Sequence, residues 1–468
     1  MEFTFFLDQD IKLPLYIQLY EHIKTEIQLG RIKEGEKLPS IRNLAQVLQV
    51  SKQTIETAYQ QLIAEGYVQS RPRSGIIVLP VEEKEPNLVR FSAVFASAPA
   101  EERNVLYDFK YGDIDVDLFP MKIWRQCINT ALDGPARDIL LYGPYQGNAD
   151  LRDEIRKYVF RARGISCSAE QIFLFGGTQQ SVSFLSRLLH LQDGNVAMEN
   201  PGYEGVRSVF LHYNCNIIPI SLEKDGICID ELQKIRAKAV YVTPSHQFPL
   251  GMVLPIGKRL QLLQWACDTS SFILEDDYDS EFRYIGKPIP SLKSLDKEER
   301  VVYCGTFSKC FLPAARISYV ILPLSLVEQG KQHINHCSQA ASPILQKALS
   351  IFMKEGYFER HIRRMKTLYQ HKHKVLLQSI EQFMGDHVNV IGQRAGLHIL
   401  LHIKNGDAAH LIKKAEEHGI QVYSPARHWL HQEEAPSAFV MLGFGGLSQE
   451  NIREGIRLLA LIWNFLEV

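Results

Sequence analysis

The sequence predicts a multidomain protein: a small N-terminal winged helix-turn-helix, which is helical with a β-wing, and a larger α/β domain with a mainly parallel sheet. Its 468 residues are too many for one ordinary domain. The first eighty residues show short amphipathic helices followed by a hairpin pattern, whereas buried-strand runs alternate with helical stretches from residue 106 onward. We therefore expect domains over 1–79 and 106–468, joined by a linker over 80–105.

The composition is that of a folded globular protein, with 46% hydrophobic and 22% charged residues. Because no apolar run is long enough to span a bilayer and no secretory leader opens the chain, we expect a cytoplasmic protein without membrane contact. The eight cysteines form no C-x-x-C pair, so buried free thiols are expected. His333 and His336 could share a helix face, but no third ligand supports them, and we predict no metal site.

The N-terminal segment contains the signals of three short helices. Apolar residues recur at helical spacing from Leu15 to Ile27, which predicts a first helix over 14–29. Ser40 and Ser51 each precede a further apolar helical pattern, where a serine side chain can cap the first turn. Two short helices joined by a tight turn form a helix-turn-helix.

A hairpin follows these helices, because the strand-like runs YVQS and GIIVLP flank the turn RPRSG. The net charge of -1 does not indicate a nucleic-acid partner, but basic residues outnumber acidic ones between positions 37 and 78. Helix caps, the outward face of the third helix and the hairpin tip supply the candidate DNA contacts: Ser40, Arg42, Ser51, Lys52, Gln53, Thr54, Thr57, Arg71 and Arg73.

The segment from PLYIQLYEHIK to LIAEGYV resembles the winged-helix domain of GntR-type bacterial regulators over its whole span, including LPSIRNLA and VSKQT. The resemblance implies binding to double-stranded promoter DNA. Lys52 departs from the family, which often has arginine after the capping serine. Lysine cannot read guanine with a bidentate fork, so this departure affects the operator sequence rather than DNA binding itself.

The region after the linker has the pattern of an α/β domain. Residues 80–105 are rich in Glu, Pro, Ala and Ser without a sustained period, as in a linker. Beyond them, apolar runs such as IFLF, AVYVT, FILED and VVYCGTF alternate with helical stretches, which is typical of a mainly parallel sheet covered by helices. Ligands in such folds lie at the carboxyl ends of the strands.

Residues that could bind a cofactor follow three of the predicted strands. FILEDDYDSEF places Asp276 after one strand, VVYCGTFSK places Lys309 after another, and IFLFGGTQQS places Gly177 where a glycine-rich turn enters a helix. A lysine, an acid and an anion cradle are what pyridoxal phosphate requires: a Schiff-base amine, a partner for the pyridine nitrogen and donors for the phosphate. A solvated surface lysine and an ordinary glycine turn are the alternatives that these residues alone leave open.

Residues 106–468 resemble a fold-type I aminotransferase, and in particular the C-terminal half of MocR/GabR-type regulators. On that resemblance Lys309 would form the Schiff base with pyridoxal 5'-phosphate, Asp276 would pair with the pyridine nitrogen, and Tyr278 would contact the phenolic oxygen. The other implied cofactor contacts are the phosphate-binding positions Gly177, Thr178, Gln179, Thr306 and Arg316, the stacking residue Tyr203, and His246 and Gln247 beside the phenolic oxygen.

Two further positions imply partners. Tyr142 matches a phosphate contact that comes from the other subunit in the family, which implies a homodimer, with a domain-swapped head-to-tail arrangement as the family expectation. Arg427 matches the arginine that holds a substrate carboxylate, implying an amino-acid-like or amine effector. Nearby residues receive plainer interpretations, namely solvated or capping acids at Asp277 and Asp279, a core position at Tyr145 and simple packing at Cys310.

Three functions are consistent with these residues. The favoured one is a transcription regulator whose DNA-binding domains respond to a small amino compound bound at the cofactor. The second is a working aminotransferase that carries a DNA-binding domain, and the third is a sensor of the cofactor supply itself.

Overall fold

The computed structural model describes residues 13–80, 105–284, 289–335, 341–404 and 406–466. The chain divides into two compact units, Met1–Glu102 and Arg103–Val468. Most of the predicted linker, residues 81–104, lies outside the described residues.

The first unit consists of helices followed by a hairpin, as the sequence predicts. Its elements are α1 (Leu15–Gln28), α2 (Ile41–Val47), α3 (Lys52–Ala64), β1 (Val68–Arg71) and β2 (Gly75–Val78).

Both predicted serine caps are confirmed. The Asn43 N–H donates to Ser40 Oγ at 3.2 Å, and the Thr54 N–H donates to Ser51 Oγ at 3.1 Å. Each bond satisfies one backbone donor that a helix start would otherwise leave unpaired. The apolar faces of all three helices and of the hairpin enclose one core, which includes the buried Leu19.

The second unit combines a large sheet with many helices. Its helices are α4 (Met121–Leu132), α5 (Ala136–Leu140), α6 (Ala149–Arg163), α7 (Thr178–Leu188), α8 (Glu204–His212), α9 (Ile229–Gln233), α10 (Ile256–Asp268), α11 (Leu292–Leu295), α12 (Val327–Ile334), α13 (Pro343–Lys354), α14 (Tyr357–Met384), α15 (Ala408–Glu417) and α16 (Gln449–Ile462). Its strands are β3 (Tyr107–Asp108), β4 (Ile172–Phe175), β5 (Asn195–Asn200), β6 (Asn216–Glu223), β7 (Gly226–Ile227), β8 (Ala239–Val242), β9 (Phe272–Asp277), β10 (Val301–Thr306), β11 (Ser318–Ile321), β12 (Val388–Ile391), β13 (His398–Ile403), β14 (Ile420–Gln421) and β15 (Phe439–Gly443).

Eight strands form the main sheet in the order β4-β11-β10-β9-β8-β5-β6-β7. Strands β10, β9, β8, β5 and β6 pair in parallel, and β11 runs antiparallel to both of its neighbours, so β4 has the same direction as the parallel set. The prediction of a mainly parallel sheet is confirmed. Because these strands share one direction, their carboxyl ends meet at one edge of the sheet.

Helices cover the main sheet, and a smaller antiparallel sheet, β12-β13-β15, lies in the C-terminal part of the same unit. The buried runs IFLF and AVYV have no exposed face, as expected for strands covered on both sides. No helix within the described ranges is long and apolar enough to cross a membrane. The seven cysteines within the described residues are free, as predicted, but only four of them, Cys127, Cys215, Cys304 and Cys310, are buried. Cys167, Cys228 and Cys267 are half-buried, and Cys337 lies outside the described residues.

Candidate functional site

The carboxyl edge of the main sheet gathers the predicted residues from five strands. Gly177 follows β4, Tyr203 follows β5, His246 follows β8, Tyr278 follows β9 and Lys309 follows β10. The folding of the sheet therefore places at one edge residues that are far apart in the sequence.

Lys309 lies next to an aromatic ring. Its Nζ atom lies 4.3 Å from the centre of the Tyr111 ring. Burial lowers the pKa of the Lys309 ammonium to about 8, although Asp279 and Asp113 act in the opposite direction. A lysine with such a pKa is partly unprotonated near neutral pH, which a nucleophilic amine requires.

Asp276 is buried at the end of β9. The Tyr241 hydroxyl donates to its Oδ2 atom, while Oδ1 is buried without a hydrogen-bond partner among the described residues. Burial raises the pKa of this carboxyl to about 7, although the Tyr241 bond acts to lower it. A cationic group beside Oδ1 would favour the carboxylate again. The side chain is therefore arranged to receive one more donor.

Gly177 and Arg316 lie against each other at the start of α7, where the sequence predicts an anion cradle. Gly177 caps α7 with a φ of 134°, and a Cβ atom there would lie 2.2 Å from Arg316 Nη2. The first N–H groups of α7, at Thr178 and Gln179, have no acceptor within the helix. A guanidinium and a helix N-terminus thus converge beside a residue that must lack a side chain.

Thr306 and Gln179 also lie at this edge. The Thr306 hydroxyl donates to Ser308 Oγ at 3.1 Å, which holds the turn that leads to Lys309. The Gln179 amide donates to the Gly205 carbonyl at 3.1 Å and so connects α7 to α8. The Gln179 side chain therefore has a structural contact, and its predicted role at a phosphate stays a prediction.

The Gln247 side chain stabilises the loop after β8. Its amide nitrogen donates to the Pro201 carbonyl at 2.9 Å and to the Phe248 carbonyl at 2.6 Å, and its oxygen accepts from the Leu250 N–H at 3.1 Å. Both ends of the amide thus bind backbone atoms. Its predicted contact with a cofactor stays a prediction.

An aromatic cluster that the sequence analysis missed is centred on Phe248. Ring centroids lie within 6 Å of the Phe248 ring for Tyr111, Tyr203, Tyr278, His398 and His428. The cluster adjoins Lys309, because Tyr111 contacts both the lysine and Phe248. The only signal in the sequence was the aromatic in HQFPLG, which could equally have been core.

The interpretation of Asp277 and Asp279 as solvated or capping acids was wrong, because both are buried. Asp277 Oδ2 lies 2.6 Å from Arg163 Nε and accepts from the Tyr303 hydroxyl at 2.6 Å. Asp279 pairs with His246. Their partners come from distant elements, which local sequence does not reveal. Tyr145 was also misassigned to the core, since it is 46% exposed.

Arg427 lies at the rim, in a short 3-10 turn, with a side chain that is 53% exposed. Its Nε atom lies 3.3 Å from Glu204 Oε2. Glu204 directly follows Tyr203, so the arginine is next to the aromatic that we expect to stack on a cofactor. A ligand carboxylate would have to compete with Glu204 for this guanidinium.

Tyr142 is 92% exposed and lies in the loop after α5. The two preceding apolar residues, Leu140 and Leu141, share this exposure. An exposed apolar group of this kind is typical of a protein–protein contact. This exposure is consistent with the expectation that Tyr142 serves a second subunit.

The predicted DNA contacts lie on the surface of the first unit. Lys52 and Gln53 are exposed at the start of α3, and Thr54 and Thr57 are half-buried on the same helix. Arg71 and Arg73 are exposed at the hairpin tip, where Arg73 has a φ of 64°. Ser40, Arg42 and Ser51 are also exposed. This geometry is typical of a recognition helix with a wing.

The chain is similar to transcription regulators over almost its whole length. The chain is 39% identical to the HTH-type transcriptional regulator YdeL of Bacillus subtilis, over 99% of this chain and 100% of that protein. It is 31% identical to the probable rhizopine catabolism regulatory protein MocR of Rhizobium meliloti, over 98% of this chain and 96% of that protein. The chain belongs to the MocR-type transcription regulators.

The two units of this MocR-type regulator match separate families. Residues 15–78 match the gntR family of bacterial regulatory proteins, and residues 108–457 match aminotransferase class I and II. The kynurenine aminotransferase of Pyrococcus horikoshii superposes with a TM-score of 0.70 at 25% identity, covering 78% of this chain and 92% of that structure. The second unit therefore has the fold-type I aminotransferase architecture.

The residues of this MocR-type regulator fit pyridoxal phosphate. The unpartnered Oδ1 of Asp276 matches a protonated pyridine nitrogen, and the cradle of Gly177 and Arg316 matches a phosphate. The amine of Lys309 follows the adjacent strand. An acid, an amine and an anion site are thus present together, as the cofactor requires.

Proposed function

We propose that this regulator binds promoter DNA through its winged helix, holds pyridoxal phosphate at Lys309, and responds to a small amino-acid-like or amine effector. The observation that carries the proposal is the fit of Lys309, Asp276 and the Gly177 cradle to one cofactor in a chain with a GntR domain. The effector changes DNA binding only if it has different affinities for two arrangements of the protein. We expect the protein to act in the cytoplasm, where bacterial promoters are.

Pyridoxal phosphate, when bound, supplies an aldehyde that condenses with amines and a ring that withdraws electrons. Lys309 provides the amine, and its lowered pKa keeps part of it unprotonated. Asp276 would keep a proton on the pyridine nitrogen, Tyr203 would contact the ring, and Arg316 with the α7 N-terminus would neutralise the phosphate. Tyr278 would turn its hydroxyl proton from the His246 carbonyl to the phenolic oxygen.

The effector site extends from Lys309 toward the rim. Arg427 would bind an effector carboxylate after releasing Glu204. Tyr142 would complete the phosphate site of a second subunit, so the functional form would be a homodimer. We retain the head-to-tail, domain-swapped arrangement as the family expectation.

The visible spectrum of purified protein, titrated with amino acids and amines, tests this function together with binding to DNA upstream of its own gene. We expect a band in the wild type, its loss in Lys309→Ala, and a ligand that changes both the band and DNA affinity. A protein that binds no cofactor, or binds no promoter DNA, contradicts the proposal.

An active aminotransferase carrying a DNA-binding domain is the second candidate, favoured by the match of residues 108–457 to aminotransferases. It predicts that an amino acid is converted to a keto acid, with the cofactor left in its amine form. If cofactor occupancy alone changes DNA binding and no amino compound does, the protein is instead a cofactor sensor.

A further inference from the structure

His246 and Asp279 form a buried pair at the candidate site. The His246 Nδ1 atom lies 2.9 and 3.0 Å from the two carboxylate oxygens of Asp279. The residues are only 2% and 1% exposed. Because a carboxylate can only accept, the proton is on Nδ1 and the ring orientation is defined.

The backbone is built closely around this pair. Gly396 has a φ of 79°, and a Cβ atom there would lie 2.2 Å from His246 Cε1 and 2.5 Å from Asp279 Oδ2. The Gly396 segment is itself held in place, since its N–H donates to the Phe282 carbonyl at 2.8 Å and its carbonyl accepts from the Tyr284 hydroxyl at 2.7 Å. The packed Gly396 segment therefore restricts the His246 and Asp279 side chains to one orientation.

Tyr278 is held by two points of the same histidine. Its hydroxyl donates to the His246 carbonyl at 2.9 Å, and its oxygen lies 3.0 Å from His246 Nδ1. The two rings are tilted against each other at 5.8 Å. Two contacts to one residue, which Asp279 orients in turn, fix the phenol hydroxyl in space.

The groups around His246 come from several elements. Asp279 and Tyr278 follow β9, the His398 ring in β13 lies 5.4 Å away, and the charge of Asp279 also acts on Lys309 and Tyr111. His398 Nε2 lies 2.9 Å from the Pro249 carbonyl, and burial lowers the pKa of His398 to about 3, so it stays neutral. The Nε2 atom of His246 is buried without a partner in the described part of the chain.

We propose that His246, oriented by Asp279, is a positioning residue for the Tyr278 hydroxyl, so that the three side chains act as one hydrogen-bonded unit beside Lys309. This inference rests on the proposed function, in which the single Tyr278 hydroxyl proton turns from the His246 carbonyl to the phenolic oxygen of pyridoxal phosphate, while the Tyr278 oxygen keeps its contact with His246 Nδ1. That donation stabilises negative charge on the phenolic oxygen. It therefore lowers the pH at which the proton shared between this oxygen and the Lys309 nitrogen is lost.

A double-mutant cycle on the spectral pH midpoint of the holo-protein tests the inference. Tyr278→Phe should raise the midpoint by about one pH unit, a tenfold change in the proton equilibrium. His246→Ala should raise it by about half a unit or more. In the Tyr278→Phe background, His246→Ala should add nothing, because its effect passes through the hydroxyl.

Two variants separate positioning from a general loss of structure. His246→Asn keeps an N–H near the place of Nδ1, so its spectral pH midpoint should lie closer to that of the wild type than to that of His246→Ala. His361→Asn, which replaces a buried histidine on α14 outside the site, should leave the midpoint unchanged.

A midpoint that His246→Ala does not move, or an effect that persists fully in the Tyr278→Phe background, overturns the inference while the proposed function stands. A wild-type protein without a cofactor band overturns the proposed function itself, and this inference with it.

Discussion

The guanidinium of Arg316 lies so close to Gly177 that a Cβ atom at position 177 would be 2.2 Å from Nη2. Arg316 itself has a φ of 49°, a conformation that L residues rarely adopt. Both residues thus have a positive φ, and this backbone conformation places the guanidinium against the start of α7. Strain of this kind is often found at ligand sites.

Gly177→Ala should weaken pyridoxal phosphate binding by about tenfold or more, the equivalent of roughly 1.4 kcal/mol. The added methyl group displaces Arg316, and alanine is strained at a φ of 134°. Equilibrium titration of apo-protein with cofactor measures the effect. Gly257→Ala is the control, since a Cβ there meets nothing within 4 Å. Equal affinities of the two variants would contradict the role of the cradle.

The rate at which apo-protein combines with pyridoxal phosphate should rise with pH and reach half of its maximum near pH 8. Only the unprotonated amine is nucleophilic, and burial lowers the pKa of Lys309 to about 8. Stopped-flow absorbance from pH 6 to 10 measures this, with Lys309→Ala as the control. A half-maximum near the ordinary lysine value, about 10.4, would show that burial does not activate this amine.

Glu204→Gln should increase the affinity for carboxylate effectors severalfold, because Arg427 no longer has an anionic partner at 3.3 Å. Arg427→Ala should decrease it. Ligand titrations of the visible band measure both changes. Glu223→Gln is the matched control, since it removes one of the two carboxylates paired with Lys258, away from Arg427. Unchanged affinity in Glu204→Gln would place the effector carboxylate away from Arg427.

Arg73→Gly should weaken binding to all DNA sequences and reduce the slope of log K against log salt by about one. Glycine suits the φ of 64° at this position, so thermal stability should not fall. Fluorescence anisotropy at several salt concentrations gives the slope. Lys413→Ala on α15 is the control for the loss of one positive charge elsewhere on the surface. A slope equal to that of the wild type would show that Arg73 at the wing tip does not contact DNA phosphate.

Mixed dimers should show whether Tyr142 serves the other subunit. Lys309→Ala and Tyr142→Ala should each impair cofactor binding as homodimers. A heterodimer of the two contains one site with both lesions and one intact site, so about half of the sites should bind normally. Absorbance of tagged, purified heterodimers measures this. Absence of recovery would assign Tyr142 to its own subunit.

Much of the candidate site could be predicted because its residues follow recognisable strands. Lys309, Asp276 and Gly177 each terminate a buried apolar run, and parallel strands place such ends together. Phe248, Tyr111 and His398 could not be predicted, since no motif distinguishes them from other aromatic residues of the chain. Only the packing of the rings against one another, with Tyr111 next to Lys309, places them at the site.

The sequence by itself determined the winged helix, because its signals are local: Ser40 and Ser51 bond to N–H groups three residues ahead, and a short turn closes the hairpin. It also determined the class of the large domain through the alternation of strands and helices. Tertiary structure alone decided which charges are buried in pairs, such as Asp279 with His246 and Asp277 with Arg163. These partners come from separate elements, and their approach depends on how the whole sheet is assembled rather than on local periodicity.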